Sequence, residues 1–284
     1  MKKENAVIVV LILLSCFNVA AWLAVFDLNG SDILEVTFFD VGQGDAIFIE
    51  TSGNHQILID GGPGSIVLEK LGEEMPFYDR NIDLIVLTHP HEDHIFGLIK
   101  VLENYRVENV LWTGIATETA IATKWQEAIK KSKVHIAYSG QRIIADGMVL
   151  EILYPFENLE GQKTKEVDDT SIVARLIFGS NSFLFTGDAF QSVEKKLIEQ
   201  EVYLSSSVLK VGHHGSKTST SQEFVENVFP ETAVISVGKD NKYGHPNQET
   251  LAVLEKYGIR IFRTDEQGDI KIICNNKNYA VSNF

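Results

Sequence analysis

The chain has 284 residues, 44% of them hydrophobic, 23% charged and six of them proline. That is enough apolar material for one large buried core, and it excludes a disordered chain. A formal net charge of −14 excludes a module that holds nucleic acid by a wholly basic surface, although not a nuclease whose metal ions supply positive charge locally.

Residues 1–28 read as a membrane anchor. Lys2 and Lys3 precede an uncharged run over 6–26, which at about 1.5 Å per residue matches a hydrocarbon core of ~30 Å. Asp27 and Asp32 follow it, so the positive-inside rule puts the N-terminus in the cytoplasm and the rest of the chain outside. The expectation is a single-pass protein of the cell membrane with an extracytoplasmic domain. A cleaved signal peptide, a lipidated Cys16 and a buried core helix are the alternatives.

A short linker over 29–34 leads into one domain over 35–284. Its first part reads as short strands, at 34–41, 45–51 and 56–60, broken at Gly42, Gly44 and Gly53. Helices and strands then alternate: strand 83–88, helix 93–104, strand 108–113 and a helix near 118–131, followed by strands at 135–139 and 149–155. The polar stretch 156–169 reads as a surface loop or a lid near a site. Two strands flank Gly179-Ser180-Asn181 as a hairpin. Beyond them come helices near 190–200, 221–228 and 247–257, with strands between and after. Two strand-rich halves of this kind suit an α/β fold built as a four-layer αββα sandwich.

Chemistry concentrates at Leu87-Thr88-His89-Pro90-His91-Glu92-Asp93-His94, where three imidazoles and a carboxylate fall within six residues. They lie just after an apolar strand and at the start of a helix, where alternate side chains can enter one cavity. His89 and His91 would chelate one cation and Asp93 with His94 a second, leaving positions open for water. Glu92 is expected to face solvent. Cys16 and Cys274 are too few for a thiolate site or a disulfide framework. Metal chemistry here therefore uses histidine and carboxylate.

This segment resembles the signature of the metallo-β-lactamase superfamily. Leu58-Ile59-Asp60-Gly61-Gly62 is similar to that superfamily's upstream Asp-Gly motif, which implies that Asp60 orients metal ligands by hydrogen bonds. Phe185-Thr186-Gly187-Asp188 resembles the strand-end motif whose aspartate bridges two metals. Phe39-Asp40-Val41-Gly42-Gln43-Gly44-Asp45, Lys210-Val211-Gly212-His213-His214-Gly215-Ser216 and Tyr243-Gly244-His245-Pro246 together resemble the C-terminal domain of the DNA-uptake protein ComEC and its stand-alone relatives. The resemblance runs from about residue 35 to about 265. With a single apolar span, the chain is not itself a channel.

From the resemblance follow two divalent ions, Zn²⁺ or Mn²⁺, held by His89, His91, Asp93, His94, Asp188 and His213. Asp93, His214 and His245 are the expected catalytic groups, His245 being either the last metal ligand or a proton donor. Of the histidine pair, His213 is favoured to face the metals. Gln43, Gly44, Asp45, Ser216 and Lys217 are expected to bind substrate, with Asp40 and Asp60 supporting the site. His55 and His135 lie outside every motif and read as structural or surface residues. The ligand histidine that many members carry between the two motifs is missing, and Asp168 or Asp169 would stand in for it.

Metal-activated water suits hydrolysis. Lys210, Lys217, Lys239 and Lys242 beside the downstream histidines favour a phosphate-bearing substrate. The leading expectation is a phosphodiesterase or nuclease acting on DNA outside the membrane, linked to DNA uptake and working beside a separate channel protein. The alternatives are hydrolysis of a carboxylic ester, thioester or lactam, and a non-catalytic surface protein that binds DNA or another polymer.

Overall fold

The computed structural model describes residues 2–28 and 33–283, and most of the expected 29–34 linker lies outside them. The apolar N-terminal run forms one helix, α1 (Lys2–Leu28), on which Ile8, Leu11, Leu13, Phe17 and Trp22 are more than half exposed. Among the described residues no helix is long and apolar enough to cross a membrane. The expected span is thus left without support from the fold.

Strands β1 (Leu34–Phe38), β2 (Ile47–Thr51) and β3 (Gln56–Ile59) form an antiparallel meander. β4 (Asn81–Leu87), β5 (Arg106–Trp112) and β6 (Lys133–Ile136) extend it in parallel, joined through α2 (Ile66–Glu74), α3 (Glu92–Asn104) and α4 (Ala120–Ala128). A second sheet begins with antiparallel β7 (Arg142–Ala145), β8 (Met148–Tyr154), β9 (Val173–Phe178) and β10 (Asn181–Phe185). It continues in parallel with β11 (Val208–Lys210), β12 (Thr232–Ile235) and β13 (Arg260–Arg263), through α5 (Gln191–Glu199), α6 (Gln222–Val228) and α7 (Gln248–Lys256). After the one-turn α8 (Thr264–Gln267), β14 (Ile270–Cys274) and β15 (Tyr279–Asn283) return to the first sheet beside β1. The orders are β15-β14-β1-β2-β3-β4-β5-β6 and β13-β12-β11-β10-β9-β8-β7.

The period of two along each strand decides which layer a side chain enters. Leu34, Val36, Phe38, Ile47, Ile49, Ile57 and Ile59 point between the sheets, where they meet Leu150, Ile152, Leu176, Phe183 and Phe185. The intervening Phe48, Leu58 and Ile85 point outward and are covered by Val67 and Leu71 of α2, Ile95, Leu98 and Val101 of α3, and Trp125 of α4. On the far side Leu184 and Leu209 meet Val193, Leu197, Phe224 and Val228 of α5 and α6. Leu254 of α7 packs with Ala233 and Ile235. The αββα order expected from the sequence is the one observed.

One close approach links fold to site. The Gly61 N–H donates to the His94 carbonyl at 2.9 Å and the Gly97 N–H to the Gly62 carbonyl at 3.0 Å, which holds the loop after β3 against α3. A Cβ on Gly97 would lie 1.7 Å from the Gly61 carbonyl oxygen. Alanine normally favours a helix interior over glycine by about 1 kcal/mol, but here the clash is with backbone. Gly97→Ala is therefore expected to destabilise the domain by about 1–3 kcal/mol, read as a lower urea midpoint; an unchanged or higher midpoint would refute the packing argument.

Candidate metal centre

The chemistry-bearing side chains gather at the carboxyl ends of strands, the usual location of sites on such sheets. The turn after β4 carries His89 and His91, and the first turn of α3 carries Asp93 and His94. Asp188 follows β10, His213 and His214 follow β11, and His245 lies on the loop after β12. His213 and His214 adopt left-handed backbone, with φ of 48° and 54°, as does Asp60 at 57°. Each such non-glycine residue costs about 1–3 kcal/mol and is held only because its surroundings demand it.

Three groups of donor atoms form among the described residues. Asp45 and Asp60 meet the Nδ1 side of His94. Of the other two, Asp93, His94, Asp188 and His214 make one, and His89, His91 and Asp168 the other. Asp188 joins them. Its Oδ2 lies 3.4 Å from the Nε2 atoms of both His94 and His214 and 4.0 Å from His89 Nε2. Asp93 Oδ2 is 3.4 Å from His214 Nε2, and Asp168 Oδ1 is 2.8 Å from His91 Nδ1 and 3.4 Å from His89 Nε2.

Hydrogen bonds on the other ring nitrogen aim the imidazoles. His94 Nδ1 pairs with Asp60 Oδ2 at 2.8 Å, and Asp60 also accepts from the Thr88 N–H and hydroxyl. His214 Nδ1 donates to the Ser236 carbonyl at 2.9 Å, and His89 Nδ1 is 3.1 Å from the Thr88 hydroxyl. The Nε2 atoms of His89, His94 and His214 and Oδ1 of Asp188 are left buried without a hydrogen-bond partner. Unpaired buried donors and acceptors are costly. Converging nitrogen and carboxylate atoms of this kind fit a divalent metal.

Charge follows the same layout. Burial would lower the His94 pKa, but Asp188 and Asp60 outweigh it and raise the value well above the ordinary one; Asp188 and Asp45 do the same for His214. For His89 burial prevails, reinforced by His94, and its pKa falls. The hydrogen bond to Asp168 raises His91. Burial opposes ionisation of Asp93, yet the neighbouring imidazoles of His214, 3.4 Å away, and His94 keep it below the usual carboxylate range.

Several expected residues are placed differently. His214, not His213, sits in the buried ligand group. His213 is partly exposed, with Nε2 3.8 Å from Asp188 Oδ2 and Nδ1 3.2 Å from the Thr218 hydroxyl. The cause is the left-handed pair of residues, which turns successive side chains in unlike directions. His245 lies beyond His213, their rings 5.6 Å apart.

Asp45, expected to bind substrate, is buried and ion-paired with Lys210, with its Oδ1 3.4 Å from His214 Nδ1. Lys210 is buried as well, so it leaves the set of surface lysines that would meet a phosphate. Gln43 Oε1 accepts from the Gly238 N–H, and a Cβ on Gly44 would lie 2.2 Å from the Asp93 carbonyl oxygen. Both therefore brace loops. Asp40 accepts from the Gly42 N–H, shaping its own turn. Ser216 is buried beside Thr218, while Lys217 is exposed. Glu92 is exposed; His55 pairs with Asp83 and His135 with Asn109. Cys274 lies in the inner core, where burial pushes its thiol up to about 12.

The place of the missing histidine is taken by Asp168. Asp169 turns away, both its oxygens accepting from the Ser192 hydroxyl at 2.7 and 2.8 Å. Asp168→Ala is expected to weaken metal binding at the His89–His91 group by at least about tenfold, whereas Asp169→Ala should spare it. Competition titration against a chromophoric chelator reads the difference, and equal effects of the two variants would contradict it.

The Metallo-beta-lactamase superfamily profile matches residues 39–239, and the chain belongs to that superfamily. With the His/Asp groups above, it is a metal-dependent hydrolase of that class. Among curated proteins it is 32% identical over 264 residues to ComE operon protein 3 of Bacillus subtilis, covering 86% of this chain and 33% of that protein. It is 32% identical over 243 residues to Competence protein ComA of Neisseria gonorrhoeae, covering 83% and 32%. The chain thus spans about a third of the length of these relatives. Among solved structures it resembles the metallo-beta-lactamase fold protein YhfI of Bacillus subtilis, with a TM-score of 0.56 and 13% identity over 88% of this chain and 100% of that one. It also resembles CmlA, a diiron beta-hydroxylase from Streptomyces venezuelae, with a TM-score of 0.53 and 15% identity over 89% and 54%. At such identities the likeness is one of fold.

Proposed function

We propose that this chain is a phosphodiesterase that hydrolyses DNA with two divalent ions, Zn²⁺ or Mn²⁺, on the outer side of a membrane to which α1 tethers it. The observation that carries the reading is Asp188, whose one carboxylate lies within reach of both donor groups. Charge is consistent with cations at this place. Asp45, Asp60, Asp93, Asp168 and Asp188 converge against the buried ammonium of Lys210 and the imidazoles of His94 and His214. Divalent ions would displace the imidazole protons and neutralise the carboxylates.

When bound, the ions would activate water and stabilise charge on a phosphate. His89, His91 and Asp168 would hold one, and Asp93, His94 and His214 the other, with Asp188 between. Asp60 and the Ser236 carbonyl fix which nitrogens of His94 and His214 face inward. His245 and His213 stand at the open side, where a neutral imidazole N–H can hydrogen-bond a phosphate or leaving oxygen. Burial, then the neighbouring imidazoles, lowers the His245 pKa, which favours that neutral form. Lys217, Lys239 and Lys242 are exposed on the loops that carry these histidines and suit an anionic substrate.

The competence relatives are consistent with DNA as the polymer, and a separate channel protein is the partner proposed with it. The tether draws on the exposed apolar side chains of α1, a surface that water disfavours. In the test, the full chain in detergent is loaded with Mn²⁺ or Zn²⁺ and offered a labelled single-stranded oligodeoxynucleotide. Metal-dependent turnover is expected, and failure on every phosphodiester would remove the reading. Protease added to intact cells should remove the domain, and its protection would put it on the inner side.

A further inference from the structure

Tyr243 is 72% exposed at the edge of the metal centre. A single exposed aromatic is ordinary on a protein surface, but three features set this one apart. The first is a continuous run of rings that leads from it to the site. Tyr243 stacks on His245 at 5.8 Å and 24°, His245 meets His213 edge-on at 5.6 Å, and His213 stacks on Phe190 at 5.4 Å. His213 Nε2 in turn is 3.8 Å from Asp188.

The second is that the loop is pinned. Asn241 Nδ2 donates to the carbonyls of Gly238 and His245 at 2.9 and 2.7 Å, and its Oδ1 accepts from the N–H groups of Tyr243 and His245 at 3.2 and 3.0 Å. The Gly238 N–H donates to Gln43, tying the loop's start to the opposite sheet. A ring presented on a fixed loop loses little conformational freedom when it binds. The third is charge: Lys239 and Lys242 are exposed on the same loop, four residues and one residue before Tyr243, in a chain whose net charge is −14.

We infer that Tyr243 is a stacking platform for an unpaired nucleobase next to the phosphate being cut, so that the preferred substrate is single-stranded rather than duplex nucleic acid. The inference rests on the phosphodiesterase reading above. Aromatic platforms beside lysines hold single strands because every base offers a π-face, while duplex bases already stack on each other. The lysines meet the backbone, and the ring meets the base.

The experiment compares wild type, Tyr243→Ala and Tyr243→Phe as metal-loaded full chains, on a single-stranded oligodeoxynucleotide, its abasic counterpart and the duplex. Wild type should cut the single strand faster than the duplex. The ratio of kcat/KM with bases to kcat/KM without them should fall about tenfold in Tyr243→Ala and return in Tyr243→Phe. Cleavage with an unchanged ratio overturns the platform while leaving the phosphodiesterase reading in place. If no oligomer is cut, fluorescence anisotropy decides: single-strand binding lost in Tyr243→Ala upholds the platform and discards hydrolysis of DNA. Binding indifferent to Tyr243, or Tyr243-dependent binding of a glycan oligomer alone, overturns it.

Discussion

Asp188→Ala should lose more than about a hundredfold in kcat/KM and one equivalent of tightly bound metal, because even residues that only support a metal ligand are worth about 10–100-fold. Its carboxylate is the one that approaches His94, His214 and His89 together, so truncation opens both donor groups at once. Asp60→Asn provides the graded comparison. Asp60 approaches no imidazole outside the His94 pair but accepts from Thr88 twice, and its loss should fall within about 10–100-fold. Metal content by mass spectrometry, read beside kinetics, separates the two variants. Full metal content with unchanged rate in Asp188→Ala would end the assignment of Asp188 as the shared ligand.

Much of this centre was legible in the sequence because it is local. His89, His91, Asp93 and His94 follow one strand and open one helix, so their convergence needs only the geometry of a turn. Asp60 could be read from the resemblance of its Asp-Gly-Gly segment to the superfamily's motif, and the close approach of that loop to α3 at Gly61 is the structural reason for the glycine. The apolar runs marked where most strands lie, whereas which of their faces meet between the sheets is seen only in the fold.

What depends on long-range placement was not legible. Nothing in Gly212-His213-His214-Gly215 announces two consecutive left-handed residues, and that pair decides which imidazole turns inward. Asp168 and Asp169 differ only by one step along a polar loop, and the contact with Ser192 on α5 distinguishes them. Lys210 ends a strand whose other residues are apolar, Val208 and Leu209; a charge in such a setting signals a buried partner, but not which one. Helix α2 escaped notice because it is short and buries only Val67 and Leu71.

Lys210 leads to the second large effect. Its ammonium, with no exposed side-chain surface, is ion-paired with Asp45, lies 3.8 Å from Asp188 Oδ1 and donates to the Gly187 carbonyl at 3.1 Å. Burial would strip its proton, but the carboxylates of Asp45 and Asp188 outweigh burial and raise its pKa. Lys210→Met keeps the bulk of the stem and deletes the charge, stranding Asp45 in the interior. Breaking one side of a buried pair costs about 3–5 kcal/mol, and that loss is expected in the unfolding free energy of the metal-free protein. Removing both charges is a different case. Lys210→Met with Asp45→Asn leaves no stranded anion, so the double variant should recover at least about 1 kcal/mol relative to the sum of the single changes. Strict additivity would mean that the two groups do not act as a pair. A Lys210→Met protein as stable as wild type would mean that the neighbouring His214, 3.4 Å from Asp45 Oδ1, compensates the carboxylate by itself.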